Sequence, residues 1–115
     1  MTIKEVSEKY GLSRETLRYY ESIGVIPNVT RKHNGIRDYS IEDLCWVEFA
    51  VEMKSMDLPI ETMIQCVTYC INAGLSPQLP NHILQQHKKF LIKKRTEIDD
   101  ILGKLNKQIS RTILE

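Results

Sequence analysis

Apolar residues recur three or four positions apart at Ile3, Val6 and Tyr10, the spacing that lines one face of a helix. Thr2 and Glu5 frame its start as a capping box, in which the threonine oxygen takes an orphan amide and the glutamate reaches back to the cap. Gly11 can adopt the left-handed conformation that stops a helix. Ser13 then caps a second helix from Arg14 to about Ser22, with Leu17 and Tyr20 on one side and Arg14, Glu15, Arg18 and Tyr19 pointing elsewhere. Two short helices joined through Gly11, Leu12 and Ser13 predict a helix-turn-helix.

Beyond Gly24 and Pro27 the helical period is lost. Val29 to Lys32, the turn formers His33, Asn34 and Gly35, and Ile36 to Tyr39 predict a short β-hairpin with a basic tip. Ser40 and Asp43 form another capping pattern, opening a helix whose Leu44, Val47, Phe49, Ala50, Val51 and Met53 leave little room for a solvated side. Pro59 suits the first turn of a fourth helix through Met63, Ile64, Val67 and Ile71 to a stop at Gly74. Residues 75–80, with Pro77 and Pro80, are expected to be a linker.

From 81 to 115 the chain has no proline, and Leu84, Leu91, Ile98 and Leu105 recur at sevens, with Ile101, Leu102 and Ile109 extending the stripe. A helix of about 30 residues is ~45 Å long, too long to bury such a stripe within a small domain. The seam predicts a coiled-coil homodimer, imperfect because His87, Lys94 and Gln108 occupy complementary positions.

With 115 residues, 42% hydrophobic and 27% charged, the chain suits one small helical domain and excludes a large multi-domain enzyme. Apolar runs stay short of the roughly 18 to 20 residues of a bilayer span, and Met1 to Gly11 lacks an apolar signal core. A cytoplasmic location without membrane contact is expected. Three cysteines, an odd number in apolar surroundings, fit a reducing compartment better than a disulfide framework. The net charge of +1 hides a pattern: residues 1–40 carry seven Lys/Arg against five Asp/Glu, 41–80 one against six, and 81–115 eight against four. Glycine-rich phosphate loop, HExxH and GxSxG motifs are absent and the histidines are scattered, so neither an enzyme nor a cofactor is expected.

The run TLRYYE from Thr16 to Glu21, followed by Gly24 and Pro27 and then Arg37, Tyr39 and Ser40, resembles the signature of the MerR family of bacterial transcriptional regulators. The resemblance spans essentially the whole chain and is strongest over residues 1–58. It implies a mainly α fold: a winged helix-turn-helix with a small β-hairpin wing at 1–74, and a dimerisation helix at 81–115 forming an antiparallel coiled coil. It further implies double-stranded promoter DNA as partner and RNA polymerase as the machinery served. The homodimer would bend and untwist DNA between promoter elements set too far apart. The chain is similar to the short, stress- or aldehyde-responsive members, which lack a large effector domain, and its inducer is not legible.

Arg14 and Arg18, one turn apart, would face DNA, bridging guanine O6 and N7 or clamping phosphate; pairing with Glu15 and Glu21 is the surface alternative. The resemblance adds Thr16, Tyr19 and Tyr39 as DNA contacts; for Tyr39, an aromatic leading into a helix, packing is the alternative and DNA contact is favoured. Arg31, Lys32, His33 and Arg37 on the wing would lie against flanking backbone. The dimer seam is assigned to Leu84, Leu91, Ile98, Ile101 and Leu105.

Cys66 and Cys70, at i and i+4, could form a soft metal site with His82 or His87. Metal-sensing relatives take ligands from the dimerisation helix and beyond, and no cysteine follows residue 70, so no metal is expected. Cys45 lies near a helix N-terminus, where the dipole favours thiolate. The place expected for the aldehyde-responsive subgroup's cysteine, about residue 52, is Glu52. A thiol or metal sensor using Cys45, Cys66 or Cys70 and a helical adaptor acting through protein contacts stand as alternatives.

Overall fold

The computed structural model describes residues 1–114, and among these the chain forms α1 (Ile3–Tyr10), α2 (Arg14–Ile23), α3 (Ile41–Ser55), α4 (Ile60–Asn72) and α5 (Asn81–Leu114). The contacts divide it into a unit Met1–Leu79 and a second unit from Pro80 onward.

In the first unit, the predicted caps set the helix ends. Thr2 Oγ1 accepts from the Glu5 amide at 3.1 Å while the Thr2 amide donates to Glu5 Oε1 at 3.0 Å. Gly11, at φ 71°, closes α1 by donating to the Ser7 carbonyl; a side chain would strain this left-handed position. Leu12 drops into the core within the turn, and Ser13 Oγ accepts from the Thr16 amide to start α2. α1 packs against both α2 and α3. Val6 and Leu17 are fully buried there, each such side chain contributing about 1.5–3 kcal/mol.

α2 ends at Gly24, where the Val25 and Ile26 amides both donate to the Tyr20 carbonyl at 2.9 and 3.1 Å, turning Val25 and Ile26 inward. α3 buries Trp46, Val47, Phe49, Ala50 and Met53. Trp46 and Phe49 meet edge to face at 6.1 Å, an orientation that aromatic quadrupoles favour. Asp57, at φ 58°, makes the turn that follows α3, a position short acidic side chains tolerate. Pro59 occupies the cap of α4, one residue earlier than the first-turn position expected for it.

Residues 75–79, expected as a linker, group with the first unit: the Leu75 amide donates to the Cys70 carbonyl at 2.8 Å, and the Cys70 thiol donates to the Gln78 carbonyl at 3.3 Å. The expected wing hairpin is small: among the described residues it is paired by a single antiparallel bridge, Arg31 to Arg37, because the turn begins at Lys32 and the chain leaves for α3 directly after Tyr39.

The second unit is α5, 34 residues and thus ~51 Å long. Its Leu84, Leu91, Ile98, Ile101 and Leu105 are 37%, 42%, 55%, 56% and 53% exposed. Local pairs support it: Lys94 reaches Glu97 at 3.3 Å and lies over the Phe90 ring. Among the described residues no helix is long and apolar enough to cross a membrane.

Candidate nucleic-acid interface

The outward side of α2 is set by what its inward side buries. Leu17 and Tyr20 bolt the helix to the core, so Arg14, Glu15, Arg18 and Tyr19 face solvent. Among the described residues neither Arg14 nor Arg18 has an intrachain ion pair, so each guanidinium retains its full set of donors. Thr16 is half-buried and its hydroxyl accepts from Ser13 at 2.8 Å within the helix cap.

The wing is a tight hairpin. Asp38 donates to the Thr30 carbonyl at 2.7 Å and Lys32 to the Ile36 carbonyl at 2.8 Å, flanking the Arg31–Arg37 bridge. Gly35, at φ 84°, donates back to the Lys32 carbonyl. Directly opposite residues project to one face of a hairpin, where like charges repel. Here Glu21 offsets that repulsion: its carboxylate accepts from Arg37 Nε at 2.8 Å and lies 3.7 Å from Arg31 Nη2. Arg31 also donates to the Gly35 carbonyl at 3.0 Å. Lys32, His33 and Asn34 at the tip are exposed.

Two carboxylates grip the base of the wing at adjacent amides. Val29 donates to Glu21 Oε2 at 3.1 Å, and Thr30 donates to Asp43 Oδ2 at 3.0 Å. The same Asp43 oxygen accepts from the Ser40 amide at 2.8 Å, completing the α3 capping box. Burial alone opposes the Asp43 charge, but the Ser40 and Thr30 hydrogen bonds outweigh it and hold the carboxyl below the usual aspartate range.

Tyr39 corrects the expectation placed on it. The side chain lies in the core, 3% exposed, with its hydroxyl buried and, among the described residues, without a hydrogen-bond partner, rather than at the wing surface. Its amide donates to the Met1 carbonyl at 2.8 Å, which draws the return strand inward and the ring with it. Burial pushes its phenol above the ordinary tyrosine value. Arg37, expected on the surface, is half-buried against Glu21.

The structure thus brings Arg14, Arg18 and Tyr19 onto one exposed helix and Arg31, Lys32 and His33 onto the adjoining hairpin. The sequence reading missed Glu21 as the wing's anchor and saw Asp43 only as a cap. The signal for Glu21 was an acid in the last turn of a helix, where the dipole disfavours it, ahead of a hairpin rich in arginine.

The thiols separate by burial: Cys45 is exposed, Cys66 and Cys70 buried. Burial, and then the neighbouring Cys70, pushes the Cys66 thiol up, away from thiolate reactivity. Cys45 and Cys70 border one open groove of about 870 Å³ with Ile41, Trp46, Ile71 and Leu75. Among the described residues no three His, Cys, Asp or Glu side chains converge as metal ligands would.

Comparison with known proteins adds the following. Residues 2–39 match the family described as MerR family regulatory protein. The HTH-type transcriptional regulator AdhR of Bacillus subtilis is 40% identical over 92 residues, covering 80% of this chain and 66% of AdhR, so this chain spans about two thirds of that relative. A MerR family transcriptional regulator from Listeria monocytogenes, known by its crystal structure, is 31% identical with a TM-score of 0.68, covering 95% of this chain and 83% of that one. HiNmlR, a MerR family regulator lacking the sensor domain and crystallised bound to promoter DNA, shares the fold at 22% identity and a TM-score of 0.66, covering 95% of this chain and 86% of its own. These relatives carry the names of transcriptional regulators, not of enzymes.

Proposed function

The chain belongs to the MerR family of helix-turn-helix transcriptional regulators, and from that premise we propose that it binds a pseudo-palindromic promoter duplex as a cytoplasmic homodimer. The observation that carries this reading is the outer face of α2, where Arg14 and Arg18 stand exposed beside Tyr19 and, among the described residues, without ion pairs. Binding a polyanion there breaks no intrachain pair, so the charge-assisted bonds to base edges or phosphate come without an offsetting loss. Lys32 and His33 at the wing tip, with Arg31 beside them, extend the contact along the flanking backbone, where positive charge releases counterions.

The exposed apolar stripe of α5, Leu84 through Leu105, supports dimerisation through a second copy of the same helix. Two recognition helices then enter major grooves about one helical turn, ~34–36 Å, apart. Distortion of the spacer DNA costs on the order of 1–6 kcal/mol, offset by helix and wing contacts on both flanks, and realigns promoter elements for RNA polymerase. Of the three candidate thiols, exposure favours Cys45 as the one an electrophile reaches first.

The test titrates the purified protein against duplexes it selects from a randomised library, at several salt concentrations, with Arg18→Ala alongside and the oligomeric state measured by sedimentation. Tight, steeply salt-dependent binding by a dimer, weakened in the variant, is the expected result. Wild type and variant binding equally weakly, or bound DNA that stays straight and normally twisted, would overturn the regulator reading or its distortion step respectively.

A further inference from the structure

We propose that Glu21 is the positioning residue that fixes the wing to the recognition helix, and that Arg37 serves DNA binding through Glu21 rather than by touching a phosphate. The inference rests on the DNA-binding reading above and assigns a division of labour within that surface.

Arg14, Arg18 and Glu21 follow at i, i+4 and i+7, which puts them on one face of α2. The row that begins with two arginines turned to DNA therefore ends in a carboxylate. Taken alone, that carboxylate is badly placed. It sits in the last turn of a helix that has no basic residue there, next to a surface that a polyanion approaches, and its side chain is only 8% exposed. What offsets these costs is the wing: Arg37 Nε at 2.8 Å, the Val29 amide at 3.1 Å and Arg31 at 3.7 Å all converge on its two oxygens. One carboxylate thus ties the recognition helix to the hairpin's first strand, through Val29 and Arg31, and to its return strand, through Arg37.

The two arginines are held unequally. Arg37 makes a short, charge-assisted hydrogen bond and its side chain is 22% exposed; Arg31 is beyond hydrogen-bond length from Glu21 and its side chain is 43% exposed. Arg31 can therefore pass from Glu21 to a backbone phosphate at small loss, while Arg37 would have to break the 2.8 Å bond and leave a buried carboxylate short of charge. Arg37 stays, and the exposed cations Arg31 and Lys32, with the His33 imidazole beside them, make the flanking contacts.

The sign of one substitution separates this from ordinary surface electrostatics. If Glu21 were only an acid near DNA, Glu21→Gln would remove repulsion and tighten binding. As the positioning residue, the same variant loosens the wing and weakens binding by about tenfold or more, the loss expected for a buried hydrogen bond to a charged partner. The experiment measures affinity for a duplex selected by the wild-type protein, using Glu21→Gln, Arg37→Gln and the double variant, with hydroxyl-radical footprints of each. The expected result is that both single variants weaken binding, that the double is no weaker than the worse single, and that protection is lost at the outer flanks while the half-site centres stay protected. In the free protein, hydrogen exchange at the Val29 amide accelerates in Glu21→Gln with helix content unchanged. Tighter binding by Glu21→Gln, additive losses in the double variant, or unaltered Val29 protection each overturns the proposal. If wild type selects no duplex at all, the DNA-binding reading falls, and the Val29 exchange still decides whether Glu21 holds the wing.

Discussion

The two units of this chain solve the problem of apolar residues in opposite ways. Among the described residues, every buried hydrophobic side chain lies between Val6 and Cys70. α5 carries comparable apolar residues, Leu84, Leu91, Ile98, Leu102, Leu105 and Ile109 among them, and each is at least 37% exposed. A three-dimensional core forms when helices of 8 to 15 residues cross and cover one another. A single helix ~51 Å long cannot cover its own stripe, which the proposed homodimer would bury. The first unit thus builds a core of its own, and the second is the segment proposed to associate.

Breaking the α5 seam gives the largest expected effect on function. Ile98→Asp with Leu105→Asp yields a monomer by sedimentation and lowers operator affinity by about 10²–10⁴, the avidity lost when two linked half-sites act singly. Thermal unfolding of the first unit is expected to be unchanged. In the first unit the reverse holds. Leu17→Ala opens a cavity under the recognition helix and lowers unfolding free energy by about 2–5 kcal/mol in a denaturant titration, leaving the self-association of α5 intact.

Surface changes sharpen the contrast between reading and holding DNA. Arg18→Ala is expected to cost about 1–3 kcal/mol in operator affinity with no loss of stability, whereas Lys32→Ala weakens all sequences alike and lowers the salt slope by about one. Smaller still is Ser40→Ala, which removes a cap from α3 and costs about 1 kcal/mol of stability. Asp43 adds a pH signature. Its carboxyl is held below the usual value in the folded state, so its contribution is present above the unfolded aspartate pKa and is lost as pH falls through the folded one. Asp43→Asn therefore flattens the decline of melting temperature in acid. Last, brief alkylation followed by peptide mass analysis labels Cys45 ahead of Cys66 and Cys70, which become reactive only on unfolding.

Much of the fold was legible because its signals are short-ranged. The capping boxes at Thr2 and Ser40, the stop at Gly11 and the helical run of α5 each involve residues within one or two turns, and each stands where the pattern put it. The candidate site was legible on α2, whose period separates Leu17 and Tyr20 from Arg14 and Arg18, and at the wing tip, where Arg31, Lys32 and His33 are exposed. The inward side of the wing was not. A hairpin this short has too few alternating positions to say which face is buried, and Tyr39 and Arg37 turn inward.

The amino-acid sequence by itself determined where helices begin and end, which stripe of each is apolar, and that α5 is too long to cover its own. These follow from hydrogen bonds and side-chain spacing along one segment. Only the tertiary structure decided what Glu21, Arg37, Tyr39 and Asp43 do. Glu21 and Arg37 are 16 residues apart and Thr30 and Asp43 are 13 apart, on elements whose approach depends on how the core packs. A carboxylate's partner, unlike a helix's period, is chosen by whatever the fold brings within 3 Å of it.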